Sequence, residues 1–156
     1  MVIGGTGHQD LPAPAIDQIR RSLERELASE SELAGVCALA AGADQLFAAV
    51  VLAHGGDLHV VVPCSEYEQT FTDARDLDRY RSLLARADRV TELDYERPSE
   101  DAFYAAGKTV VDACQRLIAI WDGKRARGRG GTADVVDYAR CRDTPVAVIW
   151  PVGVAR

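Results

Sequence analysis

The sequence contains few side chains that bind metals, and none of them are spaced as a metal site requires. It has three histidines and four cysteines, with no Cys-x-x-Cys pair and no two histidines four residues apart. Structural and catalytic zinc sites depend on such spacings, so we expect no metal site. The cysteines are far apart in the chain, which is typical of buried thiols in a reducing compartment; they are Cys37, Cys64, Cys114 and Cys141.

The sequence also lacks long apolar segments. No apolar run approaches the ~20 residues of a membrane-spanning helix, and no basic-then-apolar leader opens the chain. We therefore expect a soluble, cytoplasmic protein with no membrane partner. The net charge of −6 argues against a nucleic-acid partner. One segment is basic in this acidic chain, because residues 124–129 contain four cations and no acid: Lys124, Arg125, Arg127 and Arg129.

Short apolar runs alternate with amphipathic segments along the whole chain. The apolar runs are continuous rather than alternating, which is typical of strands buried on both faces of a parallel sheet. This pattern predicts one α/β domain over residues 1–156. The predicted strands are 2–3, 36–41, 58–62, 89–93, 116–121 and 146–150, and helices are predicted from 14, 43, 75, 99 and 132. The apolar runs within 36–39, 60–62, 117–120 and 146–149 predict strands at the centre of the sheet.

Glycine-rich and polar turns follow most of these strands. In parallel α/β sheets, ligands bind outside the carboxyl ends of the strands, so these turns are expected to form one binding site. We expect no cofactor beyond a nucleotide-like ligand. The candidate ligand-binding residues are Gly5, Thr6, Gly7, His8, Gly42, Asp44, Tyr67, Asp122, Gly123, Arg129, Gly130, Gly131 and Thr132.

The segment 128–132 is the strongest candidate for a phosphate site. Its glycines allow the backbone to approach a ligand closely, and the following helix starts with amides that carry partial positive charge. Thr132 adds a hydroxyl group, and the preceding arginines add charge. The alternative is a surface loop in which the glycines only make the turn.

The segment Gly4-Gly5-Thr6-Gly7 corresponds to half of a dinucleotide-binding fingerprint. The third glycine of that motif would fall at Asp10, so the full motif is absent. The segment is predicted to be a turn after the first strand, either shaped for a ligand or simply tight. His8 at its edge is either a hydrogen-bond donor to the ligand or a solvated loop histidine.

Two acidic residues and one aromatic residue have competing interpretations. Asp44 and Asp122 each follow a strand and either cap local backbone or accept hydrogen bonds from ribose hydroxyls. Tyr67, with Phe71, either forms a wall against a base or packs within its own loop.

Three motifs together resemble the SLOG superfamily of Rossmann-like proteins. They are Gly5-Thr6-Gly7-His8, the segment Leu-Ala-Ala-Gly-Ala-Asp at 39–44, and Gly130-Gly131-Thr132 at the start of a late helix. That superfamily includes the Lonely Guy phosphoribohydrolases, single-strand-DNA-binding recombination mediators and nucleotide-sensing domains. The resemblance implies a Rossmann-like three-layer sandwich with a mostly parallel sheet of five to six strands, a nucleotide-type ligand and a homodimer.

The phosphoribohydrolases of that superfamily carry the motif Pro-Gly-Gly-x-Gly-Thr-x-x-Glu. Thr132 matches the threonine, but Arg129 replaces a glycine and Val135 occupies the position of the catalytic glutamate. Asp134 is one residue early, and on a helix this turns its side chain by ~100°. The leading hypothesis is therefore binding or sensing of a nucleotide. The alternatives are an N-glycosidase acting on nucleoside 5′-monophosphates with Asp134 as its carboxylate, and a nucleic-acid-binding module that uses segment 124–129.

Overall fold

A computed structural model describes residues 1–125 and 131–155 and shows one six-stranded parallel sheet, as the strand–helix alternation predicted. The strand order is β4-β3-β2-β1-β5-β6. The strands are β1 (Val2–Gly7), β2 (Ala34–Cys37), β3 (Asp57–Val62), β4 (Arg89–Glu92), β5 (Arg116–Ile120) and β6 (Val146–Ile149). The helices are α1 (Ile16–Leu27), α2 (Ala43–Ala53), α3 (Ala74–Ala85), α4 (Glu100–Ala113) and α5 (Thr132–Cys141).

The helices cover both faces of the sheet and make three layers. The chain steps outward from β1 to β4 through α1, α2 and α3, which pack against one another. It then returns through α4 to β5, on the other side of β1, and continues through α5 to β6. Because parallel crossovers are right-handed, reversing the direction of travel places α4 and α5 on the opposite face. This confirms the predicted fold class.

The prediction that Gly4 to Gly7 form a turn after a two-residue strand is wrong. These residues lie inside β1: all four pair with β5, and Gly4 also pairs with β2 on the other side, so β1 is at the centre of the sheet. A Cβ atom at Gly5 would overlap the ring of Phe47 on α2. The glycine therefore serves close packing of α2 on the sheet, because there is no room between strand and ring for a side chain.

The prediction that β6 is a central strand is also wrong. It pairs only with β5 and forms one edge of the sheet, and Val148 is 45% exposed. Apolar composition predicted the strand itself, but the position of a strand depends on the crossover that precedes it. Helix α5 makes a single step outward from β5, which leaves β6 with one neighbour.

Two helix ends show local capping. The side chain of Ser99 accepts a hydrogen bond of 3.0 Å from the amide of Ala102 and caps α4, the helix predicted to start at residue 99. Helix α2 ends before Gly55, whose positive φ of 74° suits a helix terminus. In residues 1–125 and 131–155, no helix is long and apolar enough to cross a membrane.

Candidate functional site

A cleft of about 900 Å³ opens at the carboxyl edge of the sheet, where the glycine-rich segments were expected to meet. Its floor is formed by Gly5, Thr6 and Gly7 at the end of β1. One side is formed by the segments after β2 and β3, and the other by α4 and the start of α5. The strand order reverses between β1 and β5, which is the position where doubly wound sheets bind ligands.

One end of the cleft is formed by the start of α5. Gly131 is the N-cap residue of this helix, Thr132 is its first residue, and both line the cleft. Arg125 lines the same end; its side chain is 70% exposed and donates a 2.8 Å hydrogen bond to Asp137. The expected phosphate contacts at Arg129 and Gly130 lie outside the described residues. The helix N-terminus carries partial positive charge, and the guanidinium group beside it is paired with Asp137 and lies 3.9 Å from Asp134.

His8 is buried in the wall of the cleft, so the interpretation as a solvated loop histidine is wrong. It is 6% exposed, and the edge of its ring packs on Trp150 with the centroids 5.3 Å apart. Its Nε2 atom lies 3.1 Å from Oδ1 of Asp122 and 3.1 Å from the amide nitrogen of Asp122. When Nε2 carries no hydrogen it accepts from the amide, and when it carries one it donates to the carboxylate. Asp122 therefore fixes the orientation of His8 in either state.

Asp44 lies in the cleft wall at the start of α2 and is 6% exposed. Its Oδ2 atom accepts a 3.3 Å hydrogen bond from the amide of Ala40. Burial raises the pKa of Asp44 from 3.8 to about 7, because desolvation disfavours the charged form. Hydrogen bonds from the amides of Ala40 and Ala38 partly oppose this rise in pKa.

The end of the cleft beyond Asp44 is aromatic. Tyr67 is 4% exposed and contacts the rings of Phe71, Tyr80 and Phe103 at centroid distances of 5.4, 5.5 and 6.5 Å. Tyr67, Phe71 and Phe103 also line the cleft. Burial raises the pKa of Tyr67 well above its ordinary value, so its hydroxyl group is neutral. Tyr67 therefore packs within its own segment and also forms part of the cleft wall. Contact between its ring and a base stays a prediction.

Three predicted residues lie behind the cleft rather than in its wall. Gly42 precedes α2 with a φ of 79°, and a Cβ atom there would overlap the backbone carbonyls of His8 and Gln9. Asp122 and Gly123 line a smaller groove beside Trp121 and Trp150. Asp122 contacts the cleft wall through His8, and its Oδ1 atom also accepts a 3.0 Å hydrogen bond from the amide of Lys124. Gly42 and Asp122 therefore contact the cleft wall from behind, through His8 and Gln9.

The two candidate positions for a catalytic carboxylate on α5 face different surroundings. Val135 lines the cleft, is 3% exposed and packs against Gly107 of α4. Asp134 is not among the lining residues, and its Oδ1 atom lies 3.9 Å from a guanidinium nitrogen of Arg125. The helix turn between the two positions therefore directs the apolar side chain into the cleft.

Sequence reasoning missed the contribution of α4. Its residues Phe103, Ala106, Gly107 and Val110 line the cleft because this helix crosses to the opposite face of the sheet. No local signal distinguishes them from ordinary core residues. Other lining residues that were not predicted lie after β1, after β2, between β3 and α3, and in the first turn of α3; they are Gln9, Asp10, Ala38, Ala40, Ala41, Pro63, Thr70, Thr72 and Asp76.

Within the described parts of the chain, no group of three His, Cys, Asp or Glu side chains is arranged to hold a metal ion. The strand order, the all-parallel pairing and the helices on two faces define a Rossmann-like α/β protein with a cleft at the carboxyl edge of its sheet.

Comparisons with solved structures agree with this class. DNA processing protein A from Streptococcus pneumoniae aligns with a TM-score of 0.72 and 18% identity, over 97% of this chain and 51% of that one. The same protein from Helicobacter pylori, described for its single-stranded DNA binding mode, gives 0.71 and 17%, over 98% and 67%. The structural-genomics target TM1055 gives 0.61 and 16%, over 93% and 71%. The chain thus spans about half the length of the first of these proteins.

The sequence itself matches no family model and no curated protein. At 16–18% identity, the structural similarities establish the fold alone. They support the Rossmann-like fold that the resemblance to the SLOG superfamily implied.

Proposed function

We propose that this chain binds or senses a nucleotide or a nucleotide-derived phosphate ligand in the cleft. The observation that carries the proposal is the chemical asymmetry of the cleft. Its α5 end offers a helix N-terminus, the Thr132 hydroxyl and the Arg125 guanidinium, which suit a phosphate. The opposite end offers the rings of Tyr67 and Phe71, which suit a base. A nucleotide has the same asymmetry.

The proposal favours binding over hydrolysis. An N-glycosidase needs a carboxylate close to the ribose, where positive charge develops as the base leaves. On α5 the side chain that lines the cleft is Val135, whereas Asp134 lies against Arg125. A nucleotide bound in this cleft therefore meets an apolar side chain where the phosphoribohydrolases of the resembled superfamily have their glutamate.

Single-stranded DNA is a second candidate ligand for the same cleft. The specific observation is the structural similarity to DNA processing protein A, of which one structure is described for its single-stranded DNA binding mode. This similarity supports a nucleic-acid partner, against which the net charge of −6 argued. The two candidates differ in how binding responds to salt, because each additional phosphate contact on DNA steepens that response.

A ligand panel tests the proposal directly. Inorganic phosphate, the four ribonucleoside 5′-monophosphates and a short single-stranded DNA are compared by thermal stabilisation and by calorimetry. A ligand that binds only the folded state raises the unfolding temperature. We expect at least one mononucleotide to bind more tightly than phosphate, with no free base released on chromatography. Base release that is lost in Asp134→Asn would establish the N-glycosidase instead, and binding of DNA alone would establish the second candidate.

Substitutions of arginines in segment 124–129 test the position of the phosphate. Arg129→Ala is expected to weaken nucleotide binding by about 1.5–3 kcal/mol, the value for a charge-assisted hydrogen bond. Arg125→Ala is expected to cost less and to depend on salt, because Arg125 is exposed and already paired with Asp137. Arg142→Ala is the control, since Arg142 pairs with Asp112 and does not line the cleft. Equal small effects at positions 125 and 129 would contradict the phosphate assignment.

Homodimerisation is a prediction that comes from the resemblance to the SLOG superfamily alone. Sedimentation at micromolar concentration measures the mass in solution, and a monomer mass with and without nucleotide would overturn it.

A further inference from the structure

Asp44 lines the cleft at the start of α2, between the segment after β3 that carries Tyr67 and the end formed by α5. It faces the same space as the rings of Tyr67 and Phe71, on the side where the proposed function places the base. We propose that Asp44 acts as a neutral carboxylic acid and donates a hydrogen bond to an acceptor atom on the base, a ring carbonyl oxygen or an unprotonated ring nitrogen.

The surroundings of Asp44 favour the neutral acid. The residue is 94% buried, being 6% exposed, and in residues 1–125 and 131–155 no lysine or arginine forms an ion pair with it. A buried carboxylate without a cation is costly, and protonation removes that cost. The amide of Ala40 donates to Oδ2, an interaction that an acid retains through its carbonyl oxygen. The acid also has a proton to donate.

The ionisable groups nearest to Asp44 come from two other elements. Cys37 lies in β2 and Tyr67 lies in the turn after β3; both are buried, and burial raises the pKa of each. Both are therefore neutral near pH 7 and supply no positive charge to hold a carboxylate. The other ionisable side chains on the cleft wall are His8, Asp10, Asp76 and Arg125.

The inference rests on the proposed function and makes a specific prediction about pH. If only the neutral acid binds the base, affinity falls as Asp44 loses its proton. With a pKa of about 7, the apparent Kd should rise about tenfold from pH 6 to pH 8. A carboxylate that accepts hydrogen bonds from the ligand would produce the opposite trend.

Asp44→Asn distinguishes the two forms of the side chain. Asparagine retains an acceptor for the amide of Ala40 and presents an NH₂ donor to the ligand, so it resembles the neutral acid at every pH. Asp57→Asn makes the same chemical change at an exposed residue at the opposite end of the sheet. The ratio of wild-type to Asp44→Asn affinity cancels the titration of the ligand's own phosphate.

The experiment measures Kd for the four ribonucleoside 5′-monophosphates by calorimetry between pH 6 and pH 8, in two buffers with different ionisation enthalpies. We expect the wild-type protein and Asp57→Asn to weaken about tenfold relative to Asp44→Asn over this range, with proton uptake on binding at pH 8. If Asp44→Asn fails to fold, proton uptake by the wild-type protein decides the question. Nucleotide binding with no pH-dependent ratio and no proton uptake would overturn this inference alone. Absence of nucleotide binding at every pH would overturn the proposed function as well.

Discussion

The raised pKa of Asp44 makes a prediction for the ligand-free protein that does not depend on what the cleft binds. Folding carries this carboxyl group from water into a nearly closed site, where its pKa rises from 3.8 to about 7. Each pKa unit corresponds to about 1.4 kcal/mol, so full ionisation costs the folded state about 4 kcal/mol. Asp44→Asn removes this ionisation while retaining a similar shape.

The direction of the pH effect follows from where the proton is held. Between about pH 4 and about pH 7, the folded protein retains the Asp44 proton and the unfolded chain releases it. The stability that the protonated Asp44 contributes is therefore fully present below pH 3.8, its pKa in the unfolded chain. It is lost as pH rises through about 7, its pKa in the folded protein. From pH 5 to pH 8, the free energy of unfolding of wild-type protein should fall by about 2–3 kcal/mol relative to Asp44→Asn.

Urea denaturation of both proteins at several pH values measures this difference. Comparing the two proteins at each pH removes the contributions of all other titrating groups, provided that both unfold in two states. Asp57→Asn serves as the control, and its difference from wild type should stay nearly constant over the same range. A constant difference for Asp44→Asn, or a wild-type protein that gains stability relative to it as pH rises, would refute the argument that burial keeps Asp44 neutral.

Three further substitutions test the packing and caps that hold the cleft. Gly5→Ala should destabilise the protein by about 1–3 kcal/mol, because the added methyl group meets the ring of Phe47; a neutral result in urea denaturation would show that the ring can move. Gly42→Ala should cost at least about 1 kcal/mol, since its φ is 79° and the preceding loop blocks a Cβ atom; thermal unfolding measures this, and unchanged stability would contradict the close packing. Ser99→Ala should lower the free energy of unfolding by about 0.5–2 kcal/mol through loss of the α4 cap. Ser99→Asp should retain most of that stability in the same denaturation assay, because aspartate also caps helices.

The helices and strands could be predicted because their signals are local. The faces of α1 and α4, the cap at Ser99 and the glycine after α2 all depend on residues within a few positions of one another. The carboxyl-edge location of the cleft could also be predicted, because it follows from parallel pairing and from the glycines and polar residues after the strands. Gly131 and Thr132 line the cleft where they were expected.

The features that were predicted wrongly depend on contacts between segments that are distant in the sequence. Gly5 was assigned to a turn because glycine is common in turns, whereas the structure uses it to admit Phe47, 42 positions later in the chain. For His8, a solvated loop position was one of two interpretations because nothing near it in sequence covers it, and yet Trp150 and Asp122 bury it. Such contacts leave no periodic signal in a single sequence.

The sequence by itself determined the class of this protein, the number of its strands and the edge at which its polar turns meet. These depend on hydrophobic periodicity and turn chemistry, which act over a few residues. Only the tertiary structure decided that β1 is central and β6 an edge, that α4 closes the cleft, and that Asp44 is buried. Burial is a property of everything packed around a group, so the electrostatic state of a carboxyl group is set by neighbours from several elements.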